Sequence, residues 1–230
     1  MTRPLLVIRP EPGNRATLDR ARALGLDATG MPLFEVRPHA WACPEGAFDA
    51  LLITSANAIH HAGAALANLV HLPVWAVGTK SAAVAQAAGF AVVRTGSAGL
   101  ADLLAEAPPA RLLHLCGADR IPAPHWPGGS ISAVPVYESV ALNPIAALAA
   151  HLKKRPVILL HSPRAARHFA ALAAQCGAET QHIAVVAISA ATADAAGSGW
   201  EKLAIARQTG DEALLEGARL WCDAQPETPE

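Results

Sequence analysis

LLITSANA, residues 51–58, is a short apolar run that ends in two hydroxyl side chains and an amide. An apolar run of this length is typical of a buried β-strand, and serine or asparagine at its end is typical of a helix start. PVWAVGTKSA, residues 73–82, repeats this order of apolar run and helix start. Strands that alternate with helices predict an α/β fold in which helices cover both faces of a parallel sheet.

The same two units recur later in the chain. ILLHSPRA, residues 158–165, matches residues 51–58 in pattern, and VVAISAATA, residues 185–193, matches residues 74–82. Because both units match in the same order, we interpret them as an internal duplication. The alternative is chance, since a strand followed by a helix start is common in α/β proteins.

Two further segments divide the chain into domains. Residues 33–38 and 133–140 alternate apolar and polar side chains, as half-exposed strands do. We expect these crossover segments, 33–39 and 133–140, to pair antiparallel as a two-stranded linker. The predicted fold is two parallel-sheet α/β domains, flavodoxin-like or doubly wound: a discontinuous domain of residues 1–35 plus 141–230, and an inserted domain of residues 40–132.

Local patterns predict the other elements. A helix is expected over residues 58–69, and strands are expected over 5–8, 91–93, 112–117 and 203–206. An amphipathic helix over residues 211–221 precedes a tail, residues 225–230, that we expect to fray.

Composition excludes several classes of protein. Hydrophobic residues make up 52% of the 230 residues, enough for a sizeable core, and 18 Lys and Arg against 19 Asp and Glu give no basic excess for nucleic acid. Polar residues interrupt the uncharged segment between Asp49 and Lys80, and the N-terminus lacks a signal-peptide pattern, so we expect a cytoplasmic protein without a membrane span. The cysteines form no C-x-x-C and no H-E-x-x-H occurs, so no metal is expected.

Ligands of open parallel sheets bind outside the carboxyl ends of the strands. The predicted strand ends carry small hydroxyls, an amide, glycines and a few arginines: Arg9, Thr54, Ser55, Asn57, Gly78, Thr79, Ser81, Gly117, Arg120, Ser162, Arg164, Ser189 and Thr192. Such residues at helix starts leave N–H groups free to hold carboxylate or phosphate oxygens. Each of these hydroxyls could instead be only a helix cap, and Arg164 could be only a solvated charge. Tyr137 lies on the return crossover strand, where its ring could face the cleft between the domains or could simply be packed.

Several stretches resemble the uroporphyrinogen-III synthase family, and together they cover nearly the whole chain. They are LVIRP at 6–10, MPLFEV at 31–36, DALLITSANA at 49–58, VGTKSA at 77–82, VYES at 136–139, SPRAA at 162–166 and AISAATA at 187–193. Ser81 stands where the family usually has threonine, Ser189 where it has glycine, and Arg164 where it has a small residue. The order of the stretches and the two crossovers carry the resemblance.

The resemblance implies two α/β domains on a two-stranded linker, a monomer, no cofactor and no metal. It implies that the substrate is hydroxymethylbilane, a linear polycarboxylate tetrapyrrole, bound in an interdomain cleft. The enzyme would expel the terminal hydroxyl as water, invert ring D through a spiro intermediate and close the ring to uroporphyrinogen III. Tyr137 would assist the leaving hydroxyl, and the carboxylates would be bound by Thr54, Ser55, Asn57, Ser81, Ser162 and Thr192. The alternatives are a non-enzymatic two-domain sensor of a small anionic or sugar ligand and, less favoured, a nucleotide-dependent transferase.

Overall fold

The computed structural model describes residues 3–97, 99–105 and 107–222, so the predicted fraying tail lies outside the described residues. The chain forms two compact units. The first unit consists of the chain up to Glu35 together with the chain from Ala141 onward, and the second consists of Val36–Val140. Within the described ranges, no helix is both long and apolar enough to cross a membrane.

Strands and helices alternate along most of the chain. The strands, in chain order, are β1 Leu5–Val7, β2 Ala28–Gly30, β3 Phe34–Pro38, β4 Ala50–Ile53, β5 Val74–Val77, β6 Val92–Gly96, β7 Arg111–Gly117, β8 Ser130–Ala141, β9 Val157–Leu160, β10 Ala184–Ala187 and β11 Lys202–Ile205. The α-helices are α1 Gly13–Ala23, α2 Ala56–His61, α3 Thr79–Ala87, α4 Leu100–Ala105, α5 Ile145–Leu152, α6 Pro163–Gln175, α7 Ala190–Ala196 and α8 Asp211–Cys222. Two 3₁₀-helices cover Ala64–Leu69 and Thr180–His182.

The first unit is built on a five-stranded parallel sheet in the order β11-β10-β9-β1-β2. Alternate strand residues point to opposite faces because the side-chain period of a strand is two. Leu6 and Ile158 pack with residues of α5, α6 and α7 on one face. Leu5 and Val157 pack with residues of α1 and α8 on the other face. Both faces of the sheet are therefore covered by helices.

The second unit contains the sheet β3-β8-β7-β4-β5-β6. From β8 to β6 in this order, each pair of adjacent strands is parallel. Leu51 and Leu113 pack with α2 and α3 on one face, while Leu52 and Leu112 pack with α4 on the other. This unit is also a helix-covered parallel sheet, as the sequence predicts.

The crossover strands β3 and β8 pair antiparallel. The His39 N–H donates to the Val136 carbonyl over 2.9 Å, and the Leu142 N–H donates to the Leu33 carbonyl over 2.9 Å. Residue numbers therefore increase along one strand while they decrease along its partner, as in an antiparallel pair. In addition, β8 pairs in parallel with β7 from Ser130 to Tyr137. The crossover strands therefore continue the sheet of the second unit and do not form a free-standing ribbon.

The two sheets share one strand order. If the strands of the second unit are counted along the chain from β4, then β4, β5, β6, β7 and β8 are strands one to five. Their order in the sheet, β6-β5-β4-β7-β8, is then 3-2-1-4-5. If the strands of the first unit are counted from β9 to β11 and then from β1 to β2, its sheet β11-β10-β9-β1-β2 has the same order. This agreement of topology supports the internal duplication inferred from the sequence.

Some local predictions differ from the structure. The helix expected over residues 58–69 is broken at Gly63, whose φ of 68° is a left-handed conformation that glycine adopts without strain. The strand expected over residues 91–93 runs instead from Val92 to Gly96. The elements β2, α4 and α5 are not expected from the sequence, because β2 has only three residues and no apolar run, and both helices are short and alanine-rich.

Candidate functional site

In each unit most of the predicted site residues follow the carboxyl ends of strands, and some of them lie where the strand order of the sheet reverses. The reversal lies between β4 and β7 in the second unit and between β9 and β1 in the first. Helices on the two sides of such a reversal cover opposite faces, so their loops part and leave a crevice for ligands. Thr54 and Gly117 stand there in the second unit, and Arg9 and Ser162 stand there in the first.

Thr54 follows β4 and contacts a buried histidine on the neighbouring strand. The Thr54 hydroxyl lies 2.9 Å from Nε2 of His114. His114 is in β7, where it stands opposite Leu52 in the register of the two strands. Burial, helped by the charge of Arg120, lowers the pKa of His114 to about 4. At neutral pH the imidazole is therefore uncharged and carries a single N–H, so its tautomer decides whether the Thr54 hydroxyl donates or accepts.

Ser55 and Asn57 form the start of α2. The Ser55 hydroxyl accepts the Asn57 N–H at 3.2 Å, so Ser55 is the N-cap of this helix. Ser55 and Asn57 are both half-buried. Ser55 thus has the capping role that the sequence left open. Asn57 is the second residue of α2, so its side-chain amide belongs to the first turn.

The Tyr137 ring lies over Gly117, at the carboxyl end of β7. A Cβ atom added at Gly117 would stand 2.9 Å from Cε2, 3.0 Å from Cζ and 3.1 Å from the hydroxyl oxygen of Tyr137. Gly117 and Tyr137 are partners in the β7–β8 register, and the Ala118 N–H donates to the Tyr137 carbonyl. The ring centroid of His61 is 6.2 Å away. Glycine at residue 117 is what allows the tyrosine hydroxyl to approach the end of the strand.

Gly78, Thr79 and Ser81 surround the start of α3. Gly78 has a φ of 81°, a left-handed conformation that favours glycine, and its N–H donates to the Gly96 carbonyl. Thr79 is exposed, whereas Ser81 is buried. Of the two hydroxyls, only that of Thr79 faces solvent.

Serines cap two helices of the first unit. The Ser162 hydroxyl accepts the Ala165 N–H at 3.2 Å, at the start of α6. The Ser189 hydroxyl accepts the Thr192 N–H at 3.3 Å and lies 3.0 Å from the Thr192 hydroxyl. Thr192 is fully buried. Its side chain therefore fastens the start of α7 and does not face solvent.

Arg164 is exposed, and its guanidinium carbon lies 4.7 Å from the centroid of the Phe34 ring. The centroid of the same ring is 5.1 Å from that of His168, whose Nε2 lies 2.9 Å from the Leu142 carbonyl oxygen. A guanidinium over an aromatic face is a cation–π contact that contributes about 0.5–1 kcal/mol at an exposed place. Arg164 is therefore held over Phe34 near the start of α6.

Arg9 belongs to a charged cluster that the sequence does not reveal. Asp211, the first residue of α8, accepts hydrogen bonds from the Thr17 hydroxyl at 2.7 Å, His161 Nε2 at 2.9 Å and Arg20 at 2.7 Å. Arg9 Nη1 lies 3.4 Å from the same carboxylate. Burial alone would raise the pKa of Asp211, but the hydrogen bonds from His161, Thr17 and Arg20 outweigh it and hold the pKa below its usual range. The carboxylate is therefore ionised at neutral pH.

Sequence reasoning missed His114, His161 and Asp211. One signal for His161 was present, because the duplication aligns it with Thr54 at the end of the equivalent strand. His114 was visible as the polar residue that interrupts an apolar strand. Asp211 gave no such signal, since an acidic residue in the first turn of a helix is common on electrostatic grounds alone.

The strand ends of each unit offer hydrogen-bond donors, and those of the first unit also offer the cations Arg9 and Arg164. Hydroxyls, main-chain N–H groups and arginines suit the binding of carboxylates. The Tyr137 hydroxyl can donate a hydrogen bond to an oxygen on which negative charge develops as its bond to carbon breaks. Among residues 3–97, 99–105 and 107–222, no three His, Cys, Asp or Glu side chains lie close enough together to hold a metal ion.

We expect the free energy of unfolding to fall with acidification more in the wild type than in His114→Gln. Burial lowers the pKa of His114 from 6.5 to about 4 in the folded chain, so folding favours the neutral form. This stability is fully present above the unfolded pKa and is lost as the pH falls through the folded one. At about 1.4 kcal/mol per pKa unit, the loss reaches about 3 kcal/mol.

Denaturant titrations of both proteins between about pH 7 and pH 4 measure this difference. The variant keeps an amide that can bond Thr54, and every other titrating group is common to both proteins. Parallel decline of the two stabilities would show that His114 does not titrate as its burial requires.

Comparison with known proteins gives one consistent answer. The family model of uroporphyrinogen-III synthase HemD matches residues 16–216. A uroporphyrinogen-III synthetase structure from Helicobacter pylori 26695 aligns with a TM-score of 0.67 and 17% identity, over 95% of this chain and 99% of that one. A mutant uroporphyrinogen III synthase structure from the extremely thermophilic bacterium Thermus thermophilus aligns with a TM-score of 0.53 and 16% identity, over 94% and 98%. At these identities the structures show the fold alone, and no curated protein sequence matches the chain.

Proposed function

Because the chain belongs to the uroporphyrinogen-III synthase family, and is thus a cyclising lyase of tetrapyrrole biosynthesis, we propose that its strand ends bind the carboxylates of hydroxymethylbilane while Tyr137 assists the leaving hydroxyl. The family match over residues 16–216 is the observation that carries the function. In this proposal the two compact units serve as the two α/β domains, and each unit contributes its own set of carboxylate-binding groups.

The reaction requires little proton transfer by side chains of the protein. The bond between the terminal methylene carbon and its hydroxyl breaks, the hydroxyl takes up a proton and leaves as water, and the electron-rich pyrrole supplies the electron pair. Ring D then bonds to that carbon through its substituted α-carbon, which gives the spiro intermediate. The bond from this α-carbon to the methylene shared with ring C breaks, and that methylene bonds to the free α-carbon of ring D, so ring D is inverted and the ring is closed. The free α-carbon loses its proton, which balances the proton taken up by the leaving hydroxyl. A protein that holds the chain folded and stabilises the leaving group can provide most of the acceleration, since orientation alone supplies several kcal/mol.

In this proposal, Tyr137 donates a hydrogen bond to the leaving group. Its hydroxyl lies beside the side-chain-free Gly117 at the carboxyl end of β7, close to the strand-order reversal where ligands of such sheets bind. The O–H of a tyrosine is a hydrogen-bond donor. It therefore stabilises departing oxygen by a hydrogen bond without changing its own charge.

The carboxylates would be held by small groups in both units. In the second unit these groups belong to Thr54, Ser55, Asn57, Gly78, Thr79, Ser81 and Gly117, and the main-chain N–H groups that follow Gly78 are included. In the first unit they are Arg9, Ser162, Arg164, Ser189 and Thr192, and the buried Thr192 contributes through the start of α7, which it stabilises. An extended polyanion can be bound by many such weak donors, because charge-assisted hydrogen bonds are about twice as strong as neutral ones.

Turnover of hydroxymethylbilane tests the function. Purified protein is mixed with the substrate, and the ring-closed product is measured by absorbance after oxidation, against the spontaneous closure without protein. We expect a rate proportional to protein concentration and well above that background. Binding of the substrate without faster closure would contradict the proposal and would favour a ligand sensor.

A further inference from the structure

We propose that Asp211 and Gly13 are positioning residues for Arg9: they hold its guanidinium at the end of β1 so that one edge remains for a substrate carboxylate. The inference rests on the proposed function, because it concerns how the chain holds the polycarboxylate substrate. It assigns roles to two residues, on α8 and α1, that do not themselves contact the substrate.

Within the described residues, the side-chain hydrogen bonds of Arg9 involve a single nitrogen of its guanidinium. Nη1 lies 3.4 Å from Oδ1 of Asp211 and 3.4 Å from the Thr17 hydroxyl. Among the described residues, no other side chain bonds to the Nε–Nη2 edge, and the Arg9 side chain is 30% exposed. That edge carries two parallel N–H bonds, which is the geometry that binds a carboxylate at both oxygens.

Asp211 is held rigidly by the other members of the cluster. The Thr17 hydroxyl and His161 Nε2 bind Oδ1, and Arg20 binds Oδ2, at 2.7–2.9 Å. Asp211 is only 12% exposed, so it cannot swing toward solvent and leave Arg9. Three stronger partners therefore fix the carboxylate that the longer Arg9 contact depends on.

Gly13 makes room for the guanidinium. A Cβ at this residue would lie 2.6 Å from Cζ and 2.7 Å from Nη2 of Arg9, closer than atoms can approach. Gly13 is the first residue of α1 and its φ is not left-handed, so its backbone does not require glycine. What glycine provides here is space, because Nε, Cζ and Nη2 of Arg9 occupy the place that a Cβ would take.

Gly13→Ala separates positioning from a purely structural role. Alanine is the better helix former, and the clash is with the end of a flexible side chain, so the helix should be as stable as before or more so. The added methyl must nevertheless push the guanidinium away. If the cluster served only to hold α8 against α1, Gly13→Ala would leave substrate binding unchanged.

The experiment compares KM, kcat and thermal midpoint for wild type, Arg9→Gln, Gly13→Ala, Asp211→Asn and Asp19→Asn. Asp19 is the matched control, an exposed carboxylate of α1 paired with Arg22 at 3.5 Å. We expect Arg9→Gln, Gly13→Ala and Asp211→Asn each to raise KM about fivefold with kcat within about twofold, which is the pattern of lost uniform binding. Asp19→Asn should match wild type.

The outcomes distinguish this inference from the proposed function. A wild type that fails to accelerate ring closure overturns the proposed function and the inference with it. If wild type is active and Arg9→Gln raises KM, but Gly13→Ala and Asp211→Asn keep the wild-type KM, only the positioning inference is wrong. A wild-type KM in Arg9→Gln would remove Arg9 from substrate binding and would also overturn the inference.

Discussion

Tyr137→Phe should slow ring closure at saturating substrate by at least about tenfold while the thermal midpoint stays close to that of wild type. Removing one preorganised donor to a developing negative charge typically costs roughly a hundredfold to a thousandfold in rate, so a tenfold loss is a lower bound. The ring is kept, so its packing over Gly117 and its partial burial with the apolar residues of the second unit are unchanged. The expected loss is therefore in kcat and not in folding.

Gly117→Ala provides a matched second variant. The methyl group would stand 2.9–3.1 Å from Cε2, Cζ and the hydroxyl oxygen of Tyr137, so the ring must move although its hydroxyl is still present. We expect a lower kcat here as well, through displacement of the donor. Wild-type kcat in both variants, measured in single-turnover reactions to exclude slow product release, would remove Tyr137 from the mechanism.

Phe169→Ala should destabilise the first unit by about 3–5 kcal/mol, the usual cost of deleting a fully buried phenyl ring. Phe169 is in α6, has no exposed surface and stacks on Trp200 with centroids 5.4 Å apart. It belongs to the core formed by one face of the first sheet, whereas Leu113 and its neighbours form a separate core in the second unit. We expect the loss to be confined to the first unit.

Hydrogen exchange of the two sheets measures this confinement. Amides of β9 and β10 should exchange faster in Phe169→Ala, and those of β4 and β7 should keep their wild-type protection. Leu220→Ala is the control, since Leu220 is 71% exposed on α8 and its loss should change stability by no more than about 0.5 kcal/mol. An equal loss of protection in both sheets would contradict the proposal that the two units are separate domains.

Local pattern was enough to predict much of the fold. Apolar runs such as residues 51–53 and 158–160 are buried strands, and Ser55, Ser162 and Ser189 are helix caps, because each depends only on near neighbours. The internal repeat added long-range information, since it implied that the two halves share a topology.

Partners far apart in sequence could not be predicted in the same way. Thr54 meets His114 only because β4 and β7 pair in a register that puts Leu52 opposite His114. Asp211 meets His161 and Thr17 only after α8 and α1 have packed on the same face of a sheet. The break at Gly63 was missed because alanine and leucine on both sides continue a helical pattern.

The isomer composition of the product is the most direct test of the central claim, that this chain governs how the linear tetrapyrrole closes. The product formed from hydroxymethylbilane by the purified chain is oxidised, and its isomers are separated by chromatography. Closure with ring D inverted should give the type III isomer in large excess over the type I isomer of spontaneous closure. A product that is type I alone, formed at the rate seen without protein, would contradict the claim.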